Sequence, residues 1–187
     1  MNFSPDHSRS SHDGETAAVR GHFGVREATA AVLTATVALY IALVAFGNIT
    51  DFDTDRQFVR HVLAMDTTFR DDDLMWRAIT SHAWQDAAYI AIIGWETLSA
   101  LVLIAATWLW LRRRDLRRAR FLSTAGLLML LLLFGAGFIG IGGEWFAMWQ
   151  SEKWNGLEAA TRVVLLSGLA LLTVLSTGNR SGTAASD

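Results

Sequence analysis

Apolar and polar positions in this chain come in long blocks rather than alternating residue by residue. Four apolar blocks, at about 28–47, 87–111, 121–143 and 157–177, are separated by polar connections. A helix of about twenty apolar residues, rising 1.5 Å per residue, spans the ~30 Å hydrocarbon core of a bilayer. Each block therefore predicts a membrane-crossing helix. The expected fold is an all-α membrane protein, a four-transmembrane-helix bundle with short interfacial helices in the first outer, periplasmic connection.

Polar tails flank the bundle at 1–27 and 178–187 and read as disordered. His7, His12 and His22 in the first tail have no ligand-like spacing. A signal peptide is the competing reading of the first block, since Arg20 and Arg26 precede it and Leu43-Val44-Ala45 resembles a small-residue cleavage site. The long polar lead and the length of the block favour an uncleaved helix.

The connection 48–86 carries eight Asp and four Arg. Thr54 is expected to cap a helix that places Phe58, Val62, Leu63 and Met65 on one face, and a second short helix is expected over 73–80. Both would lie at the membrane surface or lid the bundle. Between the second and third blocks stand Arg112, Arg113, Arg114, Arg117, Arg118 and Arg120, opposed only by Asp115. Arginines concentrated in a short loop mark the cytoplasmic side, so both termini are expected in the cytoplasm. A basic connector between two spans serves topology and anionic-lipid contact, and no nucleic-acid partner is expected.

Composition agrees with the pattern and narrows the chemistry. Hydrophobic residues make up 52% and charged residues 18% of the 187, with one proline and no cysteine. Without cysteine there is no disulfide framework, thiolate metal site or cysteine nucleophile. Basic residues are fifteen Arg against the single Lys153, a compositional bias of bacterial type to which no functional weight is given.

Three groups of residues invite function. Glu96 lies within the second block, roughly 14 Å from its outer end at 1.5 Å per residue, close to the midplane. A carboxylate there costs about 2.5–3.5 kcal/mol on insertion scales and needs a partner, a water path or a proton. Arg162, early in the fourth helix, can reach toward it, although Glu158 four residues before offers a local pair. Such a pair of intramembrane polar residues is a candidate proton site, or fixes helix register.

The second group is an outer cluster of His61, Asp66, His82 and Glu144. These residue types can hold a divalent ion, but no HxxxH or HxH spacing occurs, so hydrogen bonds between the outer connections are expected and no metal. The third group packs and anchors. Ala136, Gly140 and Gly143 fall at spacings of four and three on one helix face, where small residues allow close approach. Trp145, Trp149 and Trp154 are expected as interfacial aromatics, and Asn155 as the cap of the fourth helix with Glu158 at its third position. All five histidines lie outside the spans, which disfavours bis-histidine haem; no cofactor is expected. Gly135, Gly137 and Gly140 match the letters of a dinucleotide fingerprint, but no strand precedes them.

Several segments together carry a resemblance: His61-Val62-Leu63-Ala64-Met65-Asp66-Thr67-Thr68-Phe69, Leu74 to Thr80, Gly94-Trp95-Glu96, Ile141 to Ser151, and Trp154-Asn155-Gly156. Over roughly 30–175 the chain resembles the bacterial small integral membrane proteins of the domain of unknown function 2165 family. The resemblance implies a four-helix inner-membrane protein, and brings with it no catalytic or binding residues. The expected role is a non-catalytic accessory, scaffold or stabilising subunit, with membrane lipid and a larger membrane complex or a second copy as partners. A small proton- or ion-coupled transporter or channel using Glu96 is the alternative. A membrane-embedded enzyme would rest only on His61, Asp66, His82 and Glu144. The aromatic content of the two outer connections predicts that they fold into one ordered cap.

Overall fold

The computed structural model describes residues 24–178. The tails at 1–27 and 178–187 lie outside the described residues except for 24–27 and 178, as do His7, His12 and His22. Among the described residues five α-helices follow in order: α1 (Val25–Thr50), α2 (Phe52–Ala64), α3 (His82–Arg112), α4 (Leu116–Leu130) and α5 (Leu157–Ser176). Helix α4 continues directly into a π-helical segment, Leu131–Trp145, so that the two form one rod of 30 residues. By length and composition α1, α3, that rod and α5 are long and apolar enough to cross a membrane.

The four long helices close a ring, with α1 against α3, α3 against α4, α4 against α5, and α5 back against α1. Each turns one stripe inward. In α3 the buried residues Gln85, Tyr89, Ile93, Glu96, Leu103, Ala106 and Trp110 recur mostly every three or four positions. Ala160, Val163, Ser167, Ala170 and Val174 do the same in α5. This is the spacing of a helix face. Small residues are frequent on these stripes, and in lipid, where apolar tails offer no hydrophobic drive between helices, close packing of small residues holds helices together. Gly126 is the tightest instance: a Cβ there would stand 2.7 Å from Leu103 Cγ and Cδ2. The opposite faces carry Leu39, Leu43, Leu101, Leu132, Leu165 and Leu172, all exposed, as a lipid-facing surface requires.

Local chemistry departs from expectation in four places. Helix α2 begins at Phe52, so Thr54 is inside it and donates to Asp51 Oδ1 at 2.9 Å instead of capping. Residues 73–80 hold only a single 3₁₀ turn, Met75–Arg77. The cap position of α5 is Gly156, with Asn155 Oδ1 accepting from Leu157 N at 3.1 Å. The Arg loop is largely helical: Asp115 Oδ1 accepts from Arg118 N at 2.9 Å, and Arg117, Arg118 and Arg120 lie in the first turns of α4.

The π-helical winding of Leu131–Trp145 changes the reading of the glycine-rich stretch. Its last bond joins Phe146 N to Ile141 O, five residues back. Fifteen residues of this winding far exceed the usual single-turn bulge. Closing at i+5 takes more residues per turn than the 3.6 of an α-helix, so the spacing of three no longer keeps to one face, and Gly143 leaves the side that Ala136 and Gly140 share. Ala136 and Gly140 are exposed, while Gly143 is buried against Leu157, whose Cδ2 a Cβ on Gly143 would approach to 2.9 Å.

Candidate functional site

Two structures occupy the end of the bundle formed by the start of α3 and the end of the π segment: a cap, and beneath it a cavity that reaches Glu96. The cap is built by the two outer connections, 48–86 and 144–156. Met65, Phe146 and Ala147 form its buried centre, with Leu74, Met75 and Ile79 packed around them. Thr67 and Ser151 hydroxyls are 2.9 Å apart, and Phe69 N donates to Gln150 Oε1 at 3.0 Å. Trp76 meets Trp145 edge-on at 5.5 Å and Phe69 meets Trp149 at 6.0 Å. The Arg77 guanidinium lies over Trp145, 4.7 Å from the ring centroid, a cation–π contact.

Helix α2 is pinned under this cap by a double clamp. Arg56 and Arg60, one turn apart, both grip Asp86 on α3. Arg56 Nε and Nη2 donate to its two oxygens at 2.9 and 2.8 Å, and Arg60 Nε and Nη2 at 2.9 Å each. Planar guanidinium–carboxylate pairing of this kind fixes geometry as well as charge. The hydrogen bond to Asp86 pushes the Arg56 pKa above its usual value.

Glu96 faces the bundle interior and is 2% exposed. Its Oε2 accepts from Asn48 Nδ2 at 2.7 Å. The same Asn48 accepts on its backbone oxygen from the Tyr89 hydroxyl at 3.0 Å. Asn48 therefore ties the last turn of α1 to two residues seven positions apart on one face of α3. Beside this group lies a cavity of about 230 Å³, whose walls include Asn48, Asp55, Tyr89 and Glu96. Asp55 comes from α2 and is half-buried; burial first, and Asp51 second, raise its pKa above the usual 3.8. Phe58, Phe134 and Phe138 complete an aromatic lining, and no Lys, Arg or His is among the described residues that line it.

Arg162 does not join this group. It bonds Glu158 Oε1 at 2.9 Å on the exposed side of α5, the local pair being one turn away while Glu96 is inside the ring. His61 pairs with Asp66 at 2.8 Å and stacks on Trp154 at 4.7 Å. His82 and Glu144 are exposed. Among the described residues no three His, Asp or Glu side chains gather as a metal site would need, so the four outer residues do not converge. Trp145 and Trp149 are about half exposed and belong to the cap. Asn48, Asp55 and Tyr89 are not among the site residues expected from the sequence. The signal for Tyr89 was its i, i+7 spacing to Glu96; for Asn48 it was a carboxamide just past the apolar block.

A family model described as a predicted small integral membrane protein (DUF2165) matches residues 26–176. The chain belongs to this family. No curated protein and no solved structure matches. The family match covers all four long helices, the cap and the Glu96 cavity, and leaves out the tails. Together with the four apolar helices it makes the protein an integral membrane protein.

Proposed function

We propose that this family member is a non-catalytic accessory subunit that scaffolds or stabilises a larger membrane complex. In this reading it lies in the bacterial inner membrane, with both termini cytoplasmic. The supporting observation is the cap. Two connections separated in sequence are bonded to each other, and the result leaves Phe69, Trp76, Trp84, Trp145 and Trp149 exposed at one end of the bundle. The arginine-rich connection is at the other end, which supports the orientation by the positive-inside rule. The test is native co-purification: a tagged copy extracted from its own membranes in mild detergent, sized, scanned for visible absorbance, and its companions identified by mass spectrometry. A stoichiometric larger membrane protein is expected; a colourless, partner-free monomer or small homo-oligomer would overturn the reading.

A second reading, a small proton- or ion-coupled transporter or channel, draws support from Glu96 beside a cavity. Against it stands the opposite half of the bundle, where Leu103, Ala106, Trp110, Ala119 and Leu127 are fully buried in a packed core. Glu96→Gln distinguishes the two in proteoliposomes: a coupled transporter loses flux with assembly intact, whereas a register role lowers thermal stability.

A further inference from the structure

We propose that the cavity bounded by Glu96 and Asp55 is a binding site for a small organic ammonium ion carrying a short apolar body. Three observations meet there. Glu96 is almost completely buried and has one protein hydrogen bond, from Asn48 to Oε2; Oε1 has no hydrogen-bond partner among the described residues. A buried carboxylate without a counter-charge is unfavourable, and none of the described lining residues is cationic. The nearby arginines are engaged elsewhere, Arg56 and Arg60 with Asp86 and Arg162 with Glu158. Asp55 adds a second acid to the same cavity.

The walls select the kind of cation. Phe58, Tyr89, Phe134 and Phe138 surround the acids with aromatic rings, which attract an ammonium group through their faces and suit an alkyl body. A bare divalent metal would need several oxygen ligands, and no group of three ligating side chains is present among the described residues. An adjoining cavity of about 170 Å³ shares Phe58, Val59, Ile92 and Phe138 as walls and is otherwise lined by apolar groups. The pair of cavities thus offers charge at one end and hydrocarbon at the other. This site is independent of the accessory role: it stands or falls whether or not a larger complex is found.

The full chain in lipid nanodiscs tests it by thermal shift and calorimetric titration at constant ionic strength, with methylammonium, butylammonium, neutral butanol and sodium as probes. Butylammonium is expected to raise the unfolding midpoint saturably. It should bind more tightly than methylammonium, by up to about fourfold per added methylene if the alkyl chain is fully buried. Butanol and sodium should produce no saturable shift. Glu96→Gln is expected to weaken butylammonium at least tenfold and Asp55→Asn at least threefold, with Glu158→Gln on the exposed face unchanged. No saturable response to either ammonium probe, an equal response to butanol or sodium, or undiminished binding in Asp55→Asn would overturn the proposal. The Asp55 variant and the butanol comparison decide the matter even if Glu96→Gln fails to fold.

Discussion

Asn48 donates to Glu96 across 2.7 Å and so joins the end of α1 to the interior face of α3, 48 positions further along the chain. Among the described residues the carboxylate has no other hydrogen-bond donor, so the carboxamide eases its burial. Because the Asn48 backbone oxygen also accepts from Tyr89, this one residue bonds the end of α1 to α3 at two points.

Replacing Asn48 by Ala leaves the Glu96 carboxylate without its donor. The expected cost is about 1–3 kcal/mol, the range for an abandoned buried polar group. The thermal midpoint in nanodiscs should fall, and the double variant with Glu96→Gln should recover part of the loss. Equal midpoints for wild type and Asn48→Ala would contradict this account of the contact.

Asp55 has a pH signature whose sign is determined by its raised pKa. A carboxyl group that holds its proton more tightly folded than unfolded favours folding when protonated. That contribution is present in full below the usual 3.8 and is lost as pH rises through the raised value. The midpoint difference between wild type and Asp55→Asn should therefore move against wild type on going from pH 4 to pH 7. A difference independent of pH would show that Asp55 is not desolvated by α2 and its surroundings.

Helix packing gives a pair of opposite glycine substitutions. Gly126→Ala forces a methyl group onto Leu103, itself fully buried, and should destabilise by about 1–3 kcal/mol. Gly94→Ala meets nothing within 4 Å, and should stabilise by roughly 0.5–1 kcal/mol through lower backbone entropy in the unfolded state. Thermal scans of the two variants should shift in opposite directions.

Asp86→Asn removes the anchor shared by Arg56 and Arg60. Faster hydrogen exchange is expected over 52–64, with the amides of α5 unchanged. Uniform loss of protection across the chain would instead mean that the clamp holds up the whole bundle.

Orientation is open to direct test because the chain has no native cysteine. A membrane-impermeant maleimide applied outside the inner membrane should label Lys153→Cys in the cap and spare Arg114→Cys until the membrane is permeabilised. The reverse pattern would invert the proposed topology.

Much of this architecture can be read from one dimension because the bilayer imposes it. A helix must satisfy its own backbone in lipid, so each apolar block announces a span whatever it packs against. The polar connections were harder to read. Thr54 looked like a cap because it stands before an amphipathic run, yet the helix already starts at Phe52 and the Thr54 hydroxyl turns back to Asp51. Arg162 had two acids in prospect, and the one a single helical turn away was the one it reached. Glu96 stood out by its surroundings, whereas Asn48 was passed over because it falls just beyond the apolar block and has the composition of a loop.

What the sequence by itself determined is the number of long helices, their approximate limits, the basic and acidic ends, and the presence of a carboxyl group deep in an apolar helix. These follow from composition over windows of a helix length, since transfer between water and lipid acts on each segment separately. Only the tertiary structure decided that Asn48, Asp55, Tyr89 and Glu96 share one cavity, that Asp86 serves two arginines, and that the glycine-rich segment winds too widely for Ala136, Gly140 and Gly143 to form one face. Those outcomes depend on distances between groups far apart in the chain and on the pitch of a single helix. Residue order constrains neither until the helices are packed.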